Sequence, residues 1–83
     1  MKLSQKGMAK ALGFGWGGAM LVVGLGHLIF FPYGQSFLQV IASIYPGYHA
    51  VPTVKDVALG TLYGTLDGAI GGFILAWLYN RFA

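Results

Sequence analysis

The sequence predicts an all-α membrane protein: an antiparallel two-helix transmembrane hairpin with a short interfacial helix in the connection, assembled as a homo-oligomer. Three observations predict it. Of the 83 residues, 57% are hydrophobic and 8% are charged, whereas a soluble domain is about a quarter charged. Too few polar groups are present to cover a surface facing water. Two apolar runs, residues 11–31 and 57–79, each have the roughly 20 residues that a bilayer crossing requires. Both runs carry glycine at helical spacing, the pattern by which helices pack closely where the solvent is lipid.

Composition narrows the function classes. A chain of this length buries little surface alone, so it is expected to associate with itself, with membrane lipid or with a larger membrane complex. The net charge of +3 comes from five cations and two acids. These charges are too few and too scattered for nucleic-acid binding. No cysteine is present, which removes disulfides, thiolate metal sites and cysteine catalysis. No serine has a plausible base partner, so the chain is not expected to be an enzyme, and no cofactor is implied.

Residues 1–10 form a basic flank, with Lys2, Lys6 and Lys10 at four-residue spacing. The first span follows over residues 11–31, and His27 is its only ionisable group. A basic start before an apolar run also fits a secretory signal peptide. Here the run is too long, and no A-x-A-like cleavage site follows it. Pro32, Tyr33 and Gly34 end the span. The connection covers residues 32–56. Within it, residues 36–45 place Phe37, Leu38, Val40, Ile41 and Ile44 at helical spacing. This segment is too short to cross and is expected to lie at the interface or to re-enter partly. Tyr45-Pro46-Gly47-Tyr48 reads as a turn. Tyr33, Tyr45, Tyr48, Trp77 and Tyr79 are candidate interface anchors, because such amphipathic rings suit the headgroup layer. Asp56 precedes the second span, where it can cap the helix and complement its dipole. Residues 80–83 close the chain with Arg81. Three lysines before the first span and Arg81 after the second, against Lys55 alone in the connection, place both termini in the cytoplasm.

At 100° per residue, Gly60, Gly64, Asp67, Gly71, Ile74 and Leu78 share one face of the second span. Leu62, Leu66, Ala69, Phe73 and Trp77 lie opposite. Gly13, Gly17, Met20, Gly24, His27 and Phe31 share a face of the first span. Two matched seams joined by one connection predict the hairpin. Gly68 and Gly72 veer to a second side, and Gly15, Gly18 and Gly26 do so on the first span. Glycine costs roughly 1 kcal/mol per residue in a helix interior, so this surplus predicts further contacts between copies.

Asp67 is the leading candidate for chemistry. A carboxylate near the bilayer centre is costly unless neutralised, paired or wetted. It either lines a polar path, as in an ion or proton channel, or acts as protonated glue between helices. His27 should come level with Gly60 or Thr61, about six residues from Asp67, too far for a direct pair within one hairpin. Thr61 and Thr65 are expected to bond back to their own helix or across to a neighbour. His27, His49 and Asp67 resemble no metal-ligand motif, so no metal site is expected.

Three stretches carry a family resemblance: Ser43-Ile44-Tyr45-Pro46-Gly47-Tyr48, Gly64-Thr65-Leu66-Asp67-Gly68-Ala69-Ile70-Gly71-Gly72 and Ala76-Trp77-Leu78-Tyr79-Asn80. The chain resembles small prokaryotic two-span membrane proteins described as bacteriophage holins or as a domain of unknown function. The likeness covers most of the chain and is strongest from Ser43 onward. It implies an inner-membrane protein that oligomerises and opens lesions, with both termini cytoplasmic. Such holins often carry a highly charged C-terminal tail; here only Asn80-Arg81-Phe82-Ala83 stands in its place. Gly13, Gly15, Gly17 and Asp67 also look like features of the ATP-synthase rotor subunit. That family has a short polar cytoplasmic loop where this chain has a long aromatic connection. The leading expectation is therefore holin-like permeabilisation or pore formation. A structural or accessory subunit of a membrane assembly is the first alternative, and an ion or proton channel the second.

Overall fold

The structure, a computed structural model, describes residues 2–83; the first residue of the basic flank lies outside them. Three helices form among the described residues, with no strand: α1 (Gln5–Ile29), α2 (Gln35–Ala42) and α3 (Val54–Phe82). Two of them, α1 and α3, are long and apolar enough to cross a membrane.

Each long helix starts earlier than its apolar run. Ser4 caps α1, its Oγ accepting from the Gly7 N–H at 3.0 Å, so the expected basic flank is helical from Gln5 onward. The charges of Lys6 and Lys10 do not interrupt a backbone that is already capped. Thr53 caps α3, accepting from the Asp56 N–H at 3.2 Å. Asp56 in turn accepts from the Thr53 hydroxyl at 2.6 Å and from the His49 N–H at 3.0 Å. One carboxylate thus ties the connection to the start of α3. Asp56→Ala is expected to destabilise the fold by about 1–3 kcal/mol, because the His49 N–H and the Thr53 hydroxyl lose their acceptor, read from chemical unfolding in micelles.

α1 and α3 lie antiparallel along most of their lengths. At one end the Leu3 N–H donates to Asn80 Oδ1 at 2.7 Å, and Asn80 Nδ2 donates back to the Leu3 carbonyl at 2.8 Å. At the other end Gly24 faces Val57. Between them Gly68 abuts the Leu12 backbone, Gly17 abuts Thr65, and Gly64 abuts Met20. The α1 seam is Gly13, Gly17, Met20, Gly24 and His27, all buried. Phe31, expected on that seam, is past the helix end and exposed.

The α3 seam differs from expectation. Gly60, Gly64, Gly72 and Ala76 are buried, and Gly68 lies between them against α1. Asp67, Ile74 and Leu78, expected on the seam, are exposed, and Gly71 meets no neighbouring group. The reason is geometric. With 3.6 residues per turn, steps of four creep around the helix, whereas alternating steps of four and three stay on one face. Alpha-carbon-only residues in a four-step row let the α1 backbone approach within contact distance. Bulkier Ile74 and Leu78 cannot, and packing follows the small row.

The connection does not lie flat at one end of the long helices. Gly34 precedes α2 as its N-cap, and its φ of +72° suits glycine; a β-carbon there would also strike the Val23 side chain. The helix then runs beside α1 and turns Leu38 and Ile41 inward. Pro46 and Gly47 occupy the centre of a turn closed by the Tyr48 N–H on the Tyr45 carbonyl at 3.2 Å. Gly47 takes a φ of +81° there, as the third position of a type II turn requires. Met20, Leu38, Ile41, Tyr45 and Tyr48 form the core. Val40 and Ile44, on the outer side of α2 and its exit, are exposed.

Two expected interface anchors are thereby corrected. Tyr45 and Tyr48 are only 6% and 4% exposed. Tyr48 lies over Gly60, and Tyr45 stacks on Tyr63 with centroids 4.9 Å apart. The missing side chain of Gly60 makes the space that draws the Tyr48 ring inward. Tyr33, Trp77 and Tyr79 remain exposed.

Candidate functional site

Asp67 lies about 20 Å from the start of α3 at 1.5 Å per residue, near the middle of its 29 residues. Its side chain is exposed beside the seam rather than held within it. The connection reaches down to meet it. The Trp16 Nε1–H donates to the Tyr45 hydroxyl oxygen at 2.9 Å, and the Tyr45 O–H donates to Asp67 Oδ2 at 2.9 Å. Three segments distant in sequence thus converge on one polar chain.

Each member is set by local structure. Trp16 is on the α1 flank one residue before the Gly17 contact, with Phe37 edge-on at 6.1 Å. Tyr45 is the last residue before the Pro46-Gly47 turn, and its ring is fixed by Tyr63. The Tyr63 hydroxyl donates to the Pro46 carbonyl at 2.5 Å, which anchors the turn itself. Burial, and then the Asp67 carboxylate nearby, hold the Tyr45 phenol above the usual tyrosine range. Burial, and then Asp56, do the same for Tyr48. Both phenols stay protonated at neutral pH, so Tyr45 is a donor toward Asp67.

Beside Asp67 opens a groove of about 420 Å³, walled by Leu12, Trp16 and Leu75 and floored by Gly15, Gly68 and Gly71. A β-carbon at Gly15 or Gly71 would meet nothing within 4 Å. These glycines carry the helix-interior penalty without any contact inside the chain to offset it.

The other expected polar groups are placed apart from Asp67. His27 is buried, and its Nε2–H donates to Gln35 Oε1. Gln35 Nε2 donates onward to the Ala50 carbonyl at 3.3 Å. Gly24 faces Val57, so His27 lies beyond the level of Gly60 and Thr61, near the start of α3. The expected level was off because the register follows the contacts of the glycines with the opposite helix rather than the ends of the apolar runs. The Thr61 hydroxyl donates to the Val57 carbonyl at 2.8 Å, and Thr65 to the Thr61 carbonyl at 2.9 Å. Both are tied within α3. Among the described residues, no group of three His, Asp or Glu side chains could hold a metal ion.

Trp16, Gln35, Tyr45 and Tyr63 are the polar partners that sequence reasoning missed. Trp16 and Tyr63 each sit one residue before a seam glycine, Gly17 and Gly64, which is the one signal that marks them. No family model, curated protein or solved structure matches the chain.

Proposed function

We propose that the chain is a non-enzymatic inner-membrane protein of a prokaryote, with two spans and both termini cytoplasmic, that works by assembling with copies of itself. Holin-like permeabilisation is the activity that the resemblance adds to this reading. The outward-facing Asp67, beside a groove floored by Gly15 and Gly71, carries it. An ionisable group at mid-depth on a lipid-facing surface is costly, and glycines without internal contacts weaken their helices. Packing of a second copy over the groove removes both costs. The membrane setting is supported by the outward side chains of the long helices. Phe14, Val22, Leu62, Leu66, Ile70 and Phe73 are all exposed, as no water-facing pair of helices would tolerate. In a membrane the connection is re-entrant: α2 and the Tyr45 turn descend beside the spans, where irregular backbone is tolerated against protein, and the turn is closed by its own Tyr48-to-Tyr45 backbone bond and by the Tyr63 hydroxyl on the Pro46 carbonyl.

The reading predicts a clean separation of effects. Gly15→Leu with Gly71→Leu should abolish the oligomer while each protomer stays folded, because a β-carbon at either position meets nothing within 4 Å and the rest of the side chain enters the open groove. Single-particle imaging and mass in detergent report the first, and helicity the second. An unchanged oligomer would sink the assembly reading. Induced expression tests the activity: abrupt growth arrest after a delay supports permeabilisation, and unimpaired growth refutes it. The Tyr45 bond to Asp67 favours one second reading, a structural or accessory subunit. A carboxylate held by a phenol is glue rather than a pore lining. Ordered rings or dimers that leave growth unimpaired are its expected result.

A further inference from the structure

On the side of the α1–α3 seam away from Asp67 runs a second groove. Two contiguous hollows, about 190 and 310 Å³, share Ala9 and Ala69. Ala9, Gly13 and Ala69 make the floor, Phe14 and Phe73 the walls, and Lys10 borders one hollow. The floor is deep because its residues are small, and the walls are tall because theirs are aromatic. Apart from Lys10, the polar residue of the lining is Thr65, and its hydroxyl is bonded to the Thr61 carbonyl. Lys6 precedes Lys10 by one turn on the same face, and both are exposed. The two acids of the chain lie elsewhere. Asp56 is at the opposite end of α3, and Asp67 opens on the other side of the seam.

We infer that this groove is a binding site for an anionic phospholipid, with one acyl chain lying over Ala9, Gly13 and Ala69 and the headgroup phosphate held by Lys6 and Lys10. The two halves of the site match the two halves of such a lipid. The dry, aromatic-walled trough takes a hydrocarbon chain, which needs apolar contact and offers no hydrogen bonds. The lysines stand at the end of α1 that carries the basic flank, and no acid competes for them. A long lysine stem can reach along the helix to the headgroup layer while its methylenes cover the trough. A zwitterionic lipid fits the trough equally well but gains less from the lysines, because its own ammonium offsets the phosphate. Selectivity therefore comes from Lys6 and Lys10, and occupancy from the floor.

The inference rests on the membrane setting proposed above but not on self-assembly or permeabilisation. The test uses the full chain in vesicles of equal parts phosphatidylglycerol and phosphatidylethanolamine with matched acyl chains. Bound lipid is then counted by native mass spectrometry, on whatever oligomer is present. The expected result is phosphatidylglycerol enriched over phosphatidylethanolamine by about fivefold or more, the factor that one lysine near an anionic headgroup supplies. Lys6→Gln with Lys10→Gln should bring the ratio near one without emptying the groove. Ala9→Leu should lower retention of both lipids, because its side chain occupies the trough. Equal retention by the wild type, or an undiminished preference in the double lysine variant, overturns the inference. So does loss of the lipid adduct on adding inorganic phosphate alone, which would make the site one for a free anion. A chain that stays monomeric and harmless, yet keeps the lipid preference, refutes the proposed function and leaves this inference standing.

Discussion

Gly68→Ala is expected to cost about 2–3 kcal/mol, a large effect for one methyl group and within the range for overpacking a tight contact. The new β-carbon would fall against the Leu12 carbonyl carbon and oxygen. Backbone cannot swing aside as a side chain can, so α1 and α3 must separate or slide. Gly72→Ala should behave alike, since its β-carbon would meet the Met8 carbonyl. Gly18→Ala is the matched control: nothing lies within 4 Å of its β-carbon, and the gain in helix propensity should stabilise the chain by up to about 1 kcal/mol. Unfolding in mixed micelles, followed by Trp16 fluorescence, measures all three. Equal effects of Gly68→Ala and Gly18→Ala would mean that the helices do not pack in this register.

Tyr45→Phe should be comparably damaging, and for a different reason. It removes one oxygen and leaves two partners unpaired, the Trp16 indole N–H and the Asp67 carboxylate. Each group left without a bond costs about 1–3 kcal/mol where water is scarce. Asp67→Asn should be far milder, because the amide oxygen still accepts from the phenol. The sharper measurement is a double-mutant cycle. If Tyr45 acts through Asp67, Tyr45→Phe should cost less in an Asp67→Leu background than in the wild type. Strict additivity of the two changes would show that the Tyr45–Asp67 bond carries no energy and that any cost of Tyr45→Phe comes from the bond lost to Trp16.

The same comparison bears on Gly64. Its β-carbon would strike the Met20 side chain and approach the Gly17 backbone, so Gly64 packs the chain against itself. Gly15 and Gly71, free of internal contacts, are the glycines to alter when self-assembly is the question. A loss of oligomer on changing Gly64 would report a broken protomer.

The two long helices are legible in the residues alone, because length, hydropathy and capping are local properties. Asp56, expected to cap the second span, lies in the first turn of α3 and complements its dipole, while Thr53 is the cap. The residues also determine the α1 seam from Gly13 to His27, since alternating steps of four and three stay on one face. They single out Asp67 as the acid in the middle of an apolar run. Which face of α3 meets α1 was settled by packing between the helices. Two faces carried glycine, and the choice depended on the partner backbone, which a single helix projection does not contain. Packing also placed Asp67 outside the seam and brought Trp16 and Tyr45 to it. Those bonds join residues 29 and 22 positions apart, through a turn whose depth is set by the hollow over Gly60. Periodicity reports what a residue presents along its own helix. What folds back over that helix depends on the space its neighbours leave.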